Sequence, residues 1–184
     1  HCTFCSVEGF NGKRVRRRDH HNVVDELSWM ADSYGINHFM WIDDDLFADP
    51  RNAIELFNEM ARRKLDVTWE ASNGVIASAT NAEILEAAAE SGCIGIHFGV
   101  ESGSQKILRS VKKPSGIKHY HRLRELLKPY PQIFSRGMLM VGFPGETISQ
   151  INETINLGLE MELDWYPIQI LSFLGNTEMV QELI

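Results

Sequence analysis

Five short apolar runs, rich in β-branched and aromatic residues, recur along the chain, and helical patterns separate them. The runs cover residues 37–42, 67–72, 94–100, 134–141 and 165–171, so their starts lie 30, 27, 40 and 31 residues apart. Strands that alternate with helices in this way are typical of repeated βαβ units, whose strands run parallel. The spacing therefore predicts an α/β fold with a parallel sheet and helices on its outside.

The connecting segments carry helix signals of their own, from apolar spacing and from capping residues. We expect five helices. The first has Val23, Leu27, Met30 and Tyr34 on one face and ends at Gly35, and the second is capped by Asp49 and has Ala53, Ile54, Phe57 and Ala61 facing inward. The third begins with a capping box at residues 80–83 and ends at Gly92, the fourth covers residues 119–127, and the fifth begins with a capping box at residues 147–150 and carries Ile151, Ile155 and Leu159. The tryptophans at positions 29, 41, 69 and 165 are expected in the core.

Composition narrows the class of protein. A chain of 184 residues and 20.9 kDa is sized for one domain, and its net charge of −7 argues against a nucleic-acid partner. The basic run at residues 13–18 is then interpreted as a solvated loop or a phosphate contact, with a partner site as the alternative. No 18-residue apolar run or signal-peptide pattern occurs, so we expect no membrane span and a cytoplasmic setting. Beginning at His-Cys rather than Met suggests a segment of a longer protein.

Polar or glycine-rich stretches follow each predicted strand, where parallel folds gather their functional groups. These stretches are DDD at 43–45, SNG at 72–74, ESGS at 101–104, GFPGE at 142–146 and SFLGNT at 172–177. Two cysteines, Cys2 and Cys5, stand three apart at the amino end, and the third, Cys93, is distant. Three cysteines are too few for a disulfide framework, so the pair is either part of a metal site or a pair of ordinary thiols.

Taken in order, these stretches resemble the radical S-adenosylmethionine (SAM) superfamily, over nearly the whole chain. CTFC at residues 2–5 is similar to the last four positions of C-x-x-x-C-x-aromatic-C, whose first cysteine would be the third residue upstream of His1. IDDDLF at 42–47, GVESGS at 99–104 and VGFPGET at 141–147 resemble further motifs of that family, whereas GNT at 175–177 departs from its usual Pro-Gly-Thr. The resemblance implies one partial TIM-like (βα) barrel domain over residues 1–184, lacking its first strand.

The resemblance also implies roles for individual residues. Cys2 and Cys5 would bind a four-iron four-sulfur cluster, and Glu101 would accept hydrogen bonds from the SAM ribose, with Ser102 as a second polar candidate beside it. Phe4 would lie near the adenine and Asp44 near the amino group, and Asn73 would reach SAM or the substrate. An adenine shelf would be made by Met138 and the backbone of residues 142–145, which include Gly142 and Phe143, and Arg136 is a candidate for the carboxylate.

The activity implied is reductive cleavage of SAM to a 5′-deoxyadenosyl radical, which modifies a small-molecule substrate. The sequences of residues 99–104 and 141–147 are most similar to those of members with a cobalamin-binding domain, which methylate or rearrange unactivated carbon. Cobalamin would then bind through a domain outside this segment, and flavodoxin or ferredoxin would donate the electron.

Two other functions are compatible with the residues alone. A metal-dependent lyase on a complete barrel would use Asp44, Glu101 and His97 as ligands of a divalent ion, since oxygen-rich sites suit magnesium or manganese. A non-catalytic barrel could bind SAM or another nucleotide without redox chemistry. His97 itself is either a packed histidine or a group in the barrel interior near the substrate.

Overall fold

The computed structural model describes residues 2–12 and 14–183, so Lys13 of the basic run lies outside the described residues. In chain order the elements are α1 (Val7–Asn11), α2 (His20–Tyr34), β1 (His38–Trp41), α3 (Pro50–Arg62), β2 (Thr68–Val75), α4 (Ala82–Glu90), β3 (Cys93–Glu101), α5 (Gln105–Ser110), α6 (Ile117–Leu127), β4 (Phe134–Val141), α7 (Ile148–Met161), β5 (Ile168–Ile170) and α8 (Glu178–Leu183).

The described strands form one five-stranded sheet in the order β1-β2-β3-β4-β5, and every pairing is parallel. The sheet curls into a half-barrel with the helices outside, which confirms the prediction of an α/β, partial TIM-like (βα) barrel. Sequential order is typical of βαβ units with short connections, in which each strand usually lies beside the one before it. All strands therefore end at one rim, and the segments that follow them meet there.

The two faces of the sheet differ in character. Trp69, Ile96 and Phe98 point toward the helices and are fully buried. On the inner face, β3 instead carries Gly95, His97 and Gly99 at alternate positions, because successive side chains of a strand point to opposite faces. The hydrophobic core thus lies between the sheet and the helices, and β3 presents small and polar groups to the inner face.

The predicted helices all form, and their caps largely agree with the sequence. Thr147 and Gln150 complete the capping box of α7, and the side chain of Asp49 accepts a hydrogen bond from the Asn52 backbone N–H of α3. The box predicted at residues 80–83 is wrong, because Asn81 caps α4 and the Thr80 hydroxyl donates to the Ile76 carbonyl. Helices α1, α5 and α8 were missed, since five or six residues are too few to establish a helical period.

The face predicted for α7 is also wrong. Ile155 and Leu159 are exposed, and the helix buries Gln150, Thr154, Leu157, Gly158 and Met161 instead. The reason is a close backbone approach: a Cβ on Gly103 would lie 2.2 Å from the Glu153 carbonyl oxygen. Small side chains on α7 permit that approach, so steric fit rather than apolar content selects the buried face.

Two tryptophans expected in the core lie at the surface. Trp29 is 55% exposed on α2, where it packs edge-on against Tyr34, which is also exposed. Trp165 is 60% exposed and precedes the edge strand β5. Trp69 is fully buried and stacks on Phe57. None of the helices in the described residues is long and apolar enough to cross a membrane.

Candidate active site at the carboxyl rim

A cavity of about 770 Å³ opens where the strands end. Six of the residues predicted from the sequence line it: Cys2, Phe4, Cys5, Asp44, Asn73 and Glu101. Further lining comes from residues that the sequence did not single out for SAM: Val7, Glu8, Gly9, Gly12, Asp45, Gly74, Ile76, Lys113, Asn176, Glu178 and Gln181. A volume of this size is typical of small-molecule and cofactor sites.

The cysteine loop is held in place by its backbone. Cys5 N–H donates to the Cys2 carbonyl at 3.0 Å, which closes a turn between the two thiols. Thr3, only 3% exposed, donates its N–H to Val111 beyond α5, and its carbonyl accepts from Met179 N–H of α8. The loop is therefore fixed between two short helices, and both thiols line the cavity.

Phe4, between the two cysteines, packs edge-on against Phe143 with ring centroids 5.9 Å apart. Phe143 is 4% exposed and belongs to an apolar cluster with Leu171 and Met179. Gly142 and Phe143 both donate their backbone N–H groups to the Glu146 carboxylate. The loop after β4 thus supports the aromatic residue of the cysteine loop, although neither Gly142 nor Phe143 lines the cavity.

Glu101 ends β3 with φ of +66°, a backbone conformation rare for residues other than glycine. Its Oε1 accepts a hydrogen bond from the Lys113 Nζ at 2.8 Å, and the side chains are only 11% and 8% exposed. A Cβ on Gly99 would lie 2.8 Å from that Nζ and 2.9 Å from that Oε1. Glycine at position 99 therefore makes room for the ion pair.

Sequence reasoning missed Lys113. It stands beside Lys112 in an ordinary basic pair, and only the fold separates the two side chains. Lys112 forms an exposed ion pair with Glu178, whereas Lys113 enters the cavity. Arg136, the cation considered for the SAM carboxylate, does not line the cavity, because it lies near the amino end of β4.

The loop after β1 brings two carboxylates to the cavity. Asp44 Oδ2 accepts a hydrogen bond from Asn11 Nδ2 at 2.6 Å. Asp45 Oδ1 accepts from the backbone N–H groups of Phe47 and Ile76, which ties this loop to the segment after β2. Its Oδ2 is buried without a hydrogen-bond partner among the described residues, and burial raises the pKa of Asp45.

Of the remaining candidates, Ser102 and Met138 do not line the cavity. Ser102 is fully buried, and its hydroxyl forms a hydrogen bond of 3.2 Å with the Thr154 hydroxyl. Met138 reaches behind Gly74, since a Cβ on that glycine would lie 2.2 Å from the Met138 Cε. Asn73 does line the cavity and donates its side-chain N–H to the Ile42 carbonyl at 2.7 Å.

The thiols differ in environment. Burial raises the pKa of Cys2, and the neighbouring Lys113 cation acts in the opposite direction. Cys93 is 1% exposed in the core, where burial raises its pKa to about 12. A four-iron four-sulfur cluster with one open iron takes three thiolates, and this chain presents two to the cavity. Cys2 and Cys5 fit two of those three positions.

The ligands of the alternative lyase are not brought together. Asp44 and Glu101 line the cavity, but His97 does not, and its Nδ1 donates to the Ser72 carbonyl at 2.7 Å. Across residues 2–12 and 14–183, no group of three His, Cys, Asp or Glu side chains is arranged to hold a metal ion.

Comparisons with known proteins identify the family of the chain. The profile of the Radical SAM superfamily matches residues 1–158. The chain is 29% identical over 191 residues to cytidylyl-2-hydroxyethylphosphonate methyltransferase of Streptomyces wedmorensis. This match covers 100% of the chain and 35% of the methyltransferase. It is 28% identical over 166 residues to anaerobic magnesium-protoporphyrin IX monomethyl ester cyclase of Rubrivivax gelatinosus, over 90% of the chain and 29% of the cyclase.

The fold is shared with a solved enzyme. The radical SAM methyltransferase TsrM from Kitasatospora setae, solved with cobalamin and a 4Fe–4S cluster bound, superposes with a TM-score of 0.89 at 20% identity, over 98% of this chain and 36% of that chain. The chain spans about a third of the length of these relatives. Because the superfamily profile covers most of its residues, the chain belongs to the radical SAM superfamily.

Proposed function

We propose that this chain is the catalytic core of a radical SAM enzyme that methylates or rearranges an unactivated carbon of a small molecule. The observation that carries the proposal is the meeting of two thiols, an aromatic ring and a buried Glu101–Lys113 ion pair around one cavity. We also propose that residues 1–184 form a single partial-barrel domain of a longer, cytoplasmic polypeptide, in keeping with the length of the relatives.

The cavity offers complementary groups for different parts of SAM. The Lys113 cation suits the methionyl carboxylate, and the Glu101 carboxylate accepts hydrogen bonds from the ribose hydroxyls. Asp44 is a counter-ion for the amino group. Phe4, held by Phe143, offers an apolar edge to the adenine. Because the ion pair already orders Glu101 and Lys113, little side-chain freedom is lost when SAM binds.

Cys2 and Cys5 would bind the cluster, together with a third thiolate from outside the described residues. When bound, such a cluster would supply the electron for reductive cleavage of SAM to methionine and a 5′-deoxyadenosyl radical. The protein's part is to hold SAM against the thiol loop and to limit access by water. The fixed backbone of Thr3 and the buried Phe143 serve that purpose.

The reaction class rests on the named relatives, one a methyltransferase and one a cyclase. Cobalamin would enter through a domain outside this segment, as the bound cobalamin of TsrM suggests. Flavodoxin or ferredoxin would donate the electron. The acidic charge of the chain disfavours a nucleic-acid substrate.

The test is anaerobic reconstitution of the full-length polypeptide with iron and sulfide, followed by dithionite and SAM. We expect cluster absorbance and 5′-deoxyadenosine, measured by mass spectrometry, and we expect both to be lost in Cys5→Ala. The matched control is Cys93→Ala, which removes a thiol that does not line the cavity and retains both signals.

Binding of SAM gives a readout that does not require turnover. Glu101→Gln should weaken SAM binding by about tenfold in equilibrium dialysis, since one charge-assisted hydrogen bond becomes a neutral one.

If the wild-type polypeptide loads no cluster in the anaerobic reconstitution, the radical mechanism is excluded and a nucleotide-binding barrel without redox chemistry becomes the better account.

A further inference from the structure

Three polar side chains on the inner face of the sheet have no part in the site described above. They are Glu70 on β2, His97 on β3 and Arg136 on β4. Arg136 is the register partner of His97, and the Glu70 Oε2 lies 4.0 Å from the His97 Nε2. The three side chains thus form one cluster across neighbouring strands.

His97 presents a free ring nitrogen to this cluster. Its Nδ1 donates to the Ser72 carbonyl at 2.7 Å, which fixes the ring and leaves Nε2 on the opposite side. The residue is only 8% exposed, and among the described residues its Nε2 has no hydrogen-bond partner. A buried polar atom of this kind is rare unless another group, such as a ligand, completes it.

Arg136 is a cation without a counter-ion in the described part of the chain. Its Nε is buried without a hydrogen-bond partner, and its guanidinium lies 5.3 Å from the centre of the Phe134 ring. No ion pair to its side chain forms within residues 2–12 and 14–183. Because arginine stays charged at every physiological pH, this position favours an anion.

Glycines flank His97 on the inner face of β3, so His97 is the only side chain that residues 95–99 project toward the cluster. Gly95 and Gly99 lie on the same face, two residues before and two after, and a Cβ on Gly95 would lie 3.1 Å from the Glu70 Oε2. The cluster adjoins the cavity: Ser72, the partner of His97, precedes the lining residue Asn73. Gly99, two residues or about 7 Å along the strand from His97, lies against the cavity-lining pair Glu101 and Lys113, so a ligand beside His97 would lie next to the cavity.

Charge complementarity defines the ligand. Burial lowers the pKa of His97, so its ring is neutral near pH 7, and with Nδ1 donating, Nε2 is an acceptor. We propose that Glu70, His97 and Arg136 bind an organic oxyanion that also carries a hydroxyl or amino group. The carboxylate or phosphonate of the ligand accepts from Arg136. A hydroxyl on the ligand donates its one hydrogen to either His97 Nε2 or the Glu70 carboxylate, whereas an amino group donates to both. That this ligand is the substrate rests on the proposed function; the binding itself does not.

The first experiment follows the ring nitrogens of His97 by NMR in protein labelled with ¹⁵N-histidine. Glycolate, which has both a carboxylate and a hydroxyl, is the probe, and acetate and ethylene glycol each lack one of the two. A ligand of so few atoms binds weakly, so titration extends to roughly 100 mM. We expect glycolate to shift the Nε2 resonance saturably, and acetate and ethylene glycol to bind at least several-fold more weakly.

Variants separate this site from general anion binding. Arg136→Gln should weaken glycolate binding by about tenfold or more, because it removes the charge-assisted contact. Arg136→Lys keeps the charge and should retain part of the affinity. That partial affinity would show that the loss in Arg136→Gln comes from the missing charge and not from a folding defect. Arg122→Gln, an exposed arginine on α6, is the matched control and should bind as the wild type does. Absence of a saturable shift, or equal binding in Arg136→Gln, overturns the proposal.

The outcome can be separated from that of the proposed function, because the titration uses neither cluster nor SAM. If 5′-deoxyadenosine forms but glycolate does not bind, the subsite is refuted and the radical mechanism stands. If glycolate binds as expected but no cluster loads, the subsite stands as a polar binding site, and its interpretation as a substrate site is refuted.

Discussion

Glu101 and Lys113 form an ion pair whose side chains are almost fully buried, so each charge is neutralised by the other. Lys113→Met leaves an uncompensated carboxylate in the cavity. We expect it to lower the free energy of unfolding by about 3–5 kcal/mol, the range for breaking a buried pair. Combining it with Glu101→Gln removes the stranded charge and should recover most of that loss. Urea denaturation of both variants checks this; a double variant no more stable than Lys113→Met would show that the charges are not coupled.

Cys5 and Cys93 should differ sharply in reactivity. Burial raises the pKa of Cys93 to about 12, so almost none of it is thiolate at pH 8. Cys5 is exposed. Iodoacetamide should therefore alkylate Cys5 in the native protein and leave Cys93 unmodified until denaturant is added, as read by peptide mass spectrometry. Labelling of Cys93 at the rate of Cys5 would contradict its place in the core.

At the scale of elements, the loop after β3 meets α7 by backbone contact. A Cβ on Gly103 would lie 2.2 Å from the Glu153 carbonyl oxygen and 2.6 Å from the Thr154 Cα. Gly103→Ala must therefore push α7 away from the sheet, and we expect a loss of about 1–3 kcal/mol or more, as for overpacking. Thermal unfolding measures it. Gly175→Ala is the matched control, because nothing lies within 4 Å of its Cβ position; equal melting temperatures for the two variants would exclude the close contact.

The elements also mark where sequence periodicity succeeds and where it fails. Helix α3 buries Ala53 and Phe57 as predicted, because a broad apolar stripe faces the sheet. Helix α7 does not follow its apolar stripe, since Gly103 requires the small side of the helix to face inward. Apolar spacing predicts the buried face only where no backbone contact imposes a different one.

For the whole molecule, the strand order leaves β1 and β5 at the edges of the described sheet. Ile42 and Ile170, at the ends of these strands, are 77% and 80% exposed. Open apolar edges promote strand-to-strand association, and a lysine on the edge prevents it. The isolated 184-residue chain should therefore self-associate at high concentration, and Ile42→Lys with Ile170→Lys should keep it monomeric in sedimentation velocity. A wild-type chain that stays monomeric at the same concentration would contradict this.

The sequence by itself determined the alternation of strands and helices, the parallel sheet and the order of the rim motifs, because these depend on local periodicity and on connections of fixed hand. It also predicted Cys2, Cys5 and Glu101 as site residues from local patterns, and all three line the cavity. The tertiary structure alone decided that Lys113 rather than Arg136 enters the cavity, and that Glu70, His97 and Arg136 meet on the inner face. These contacts join residues far apart in the chain. They depend on strand register and sheet curvature, which no local pattern encodes.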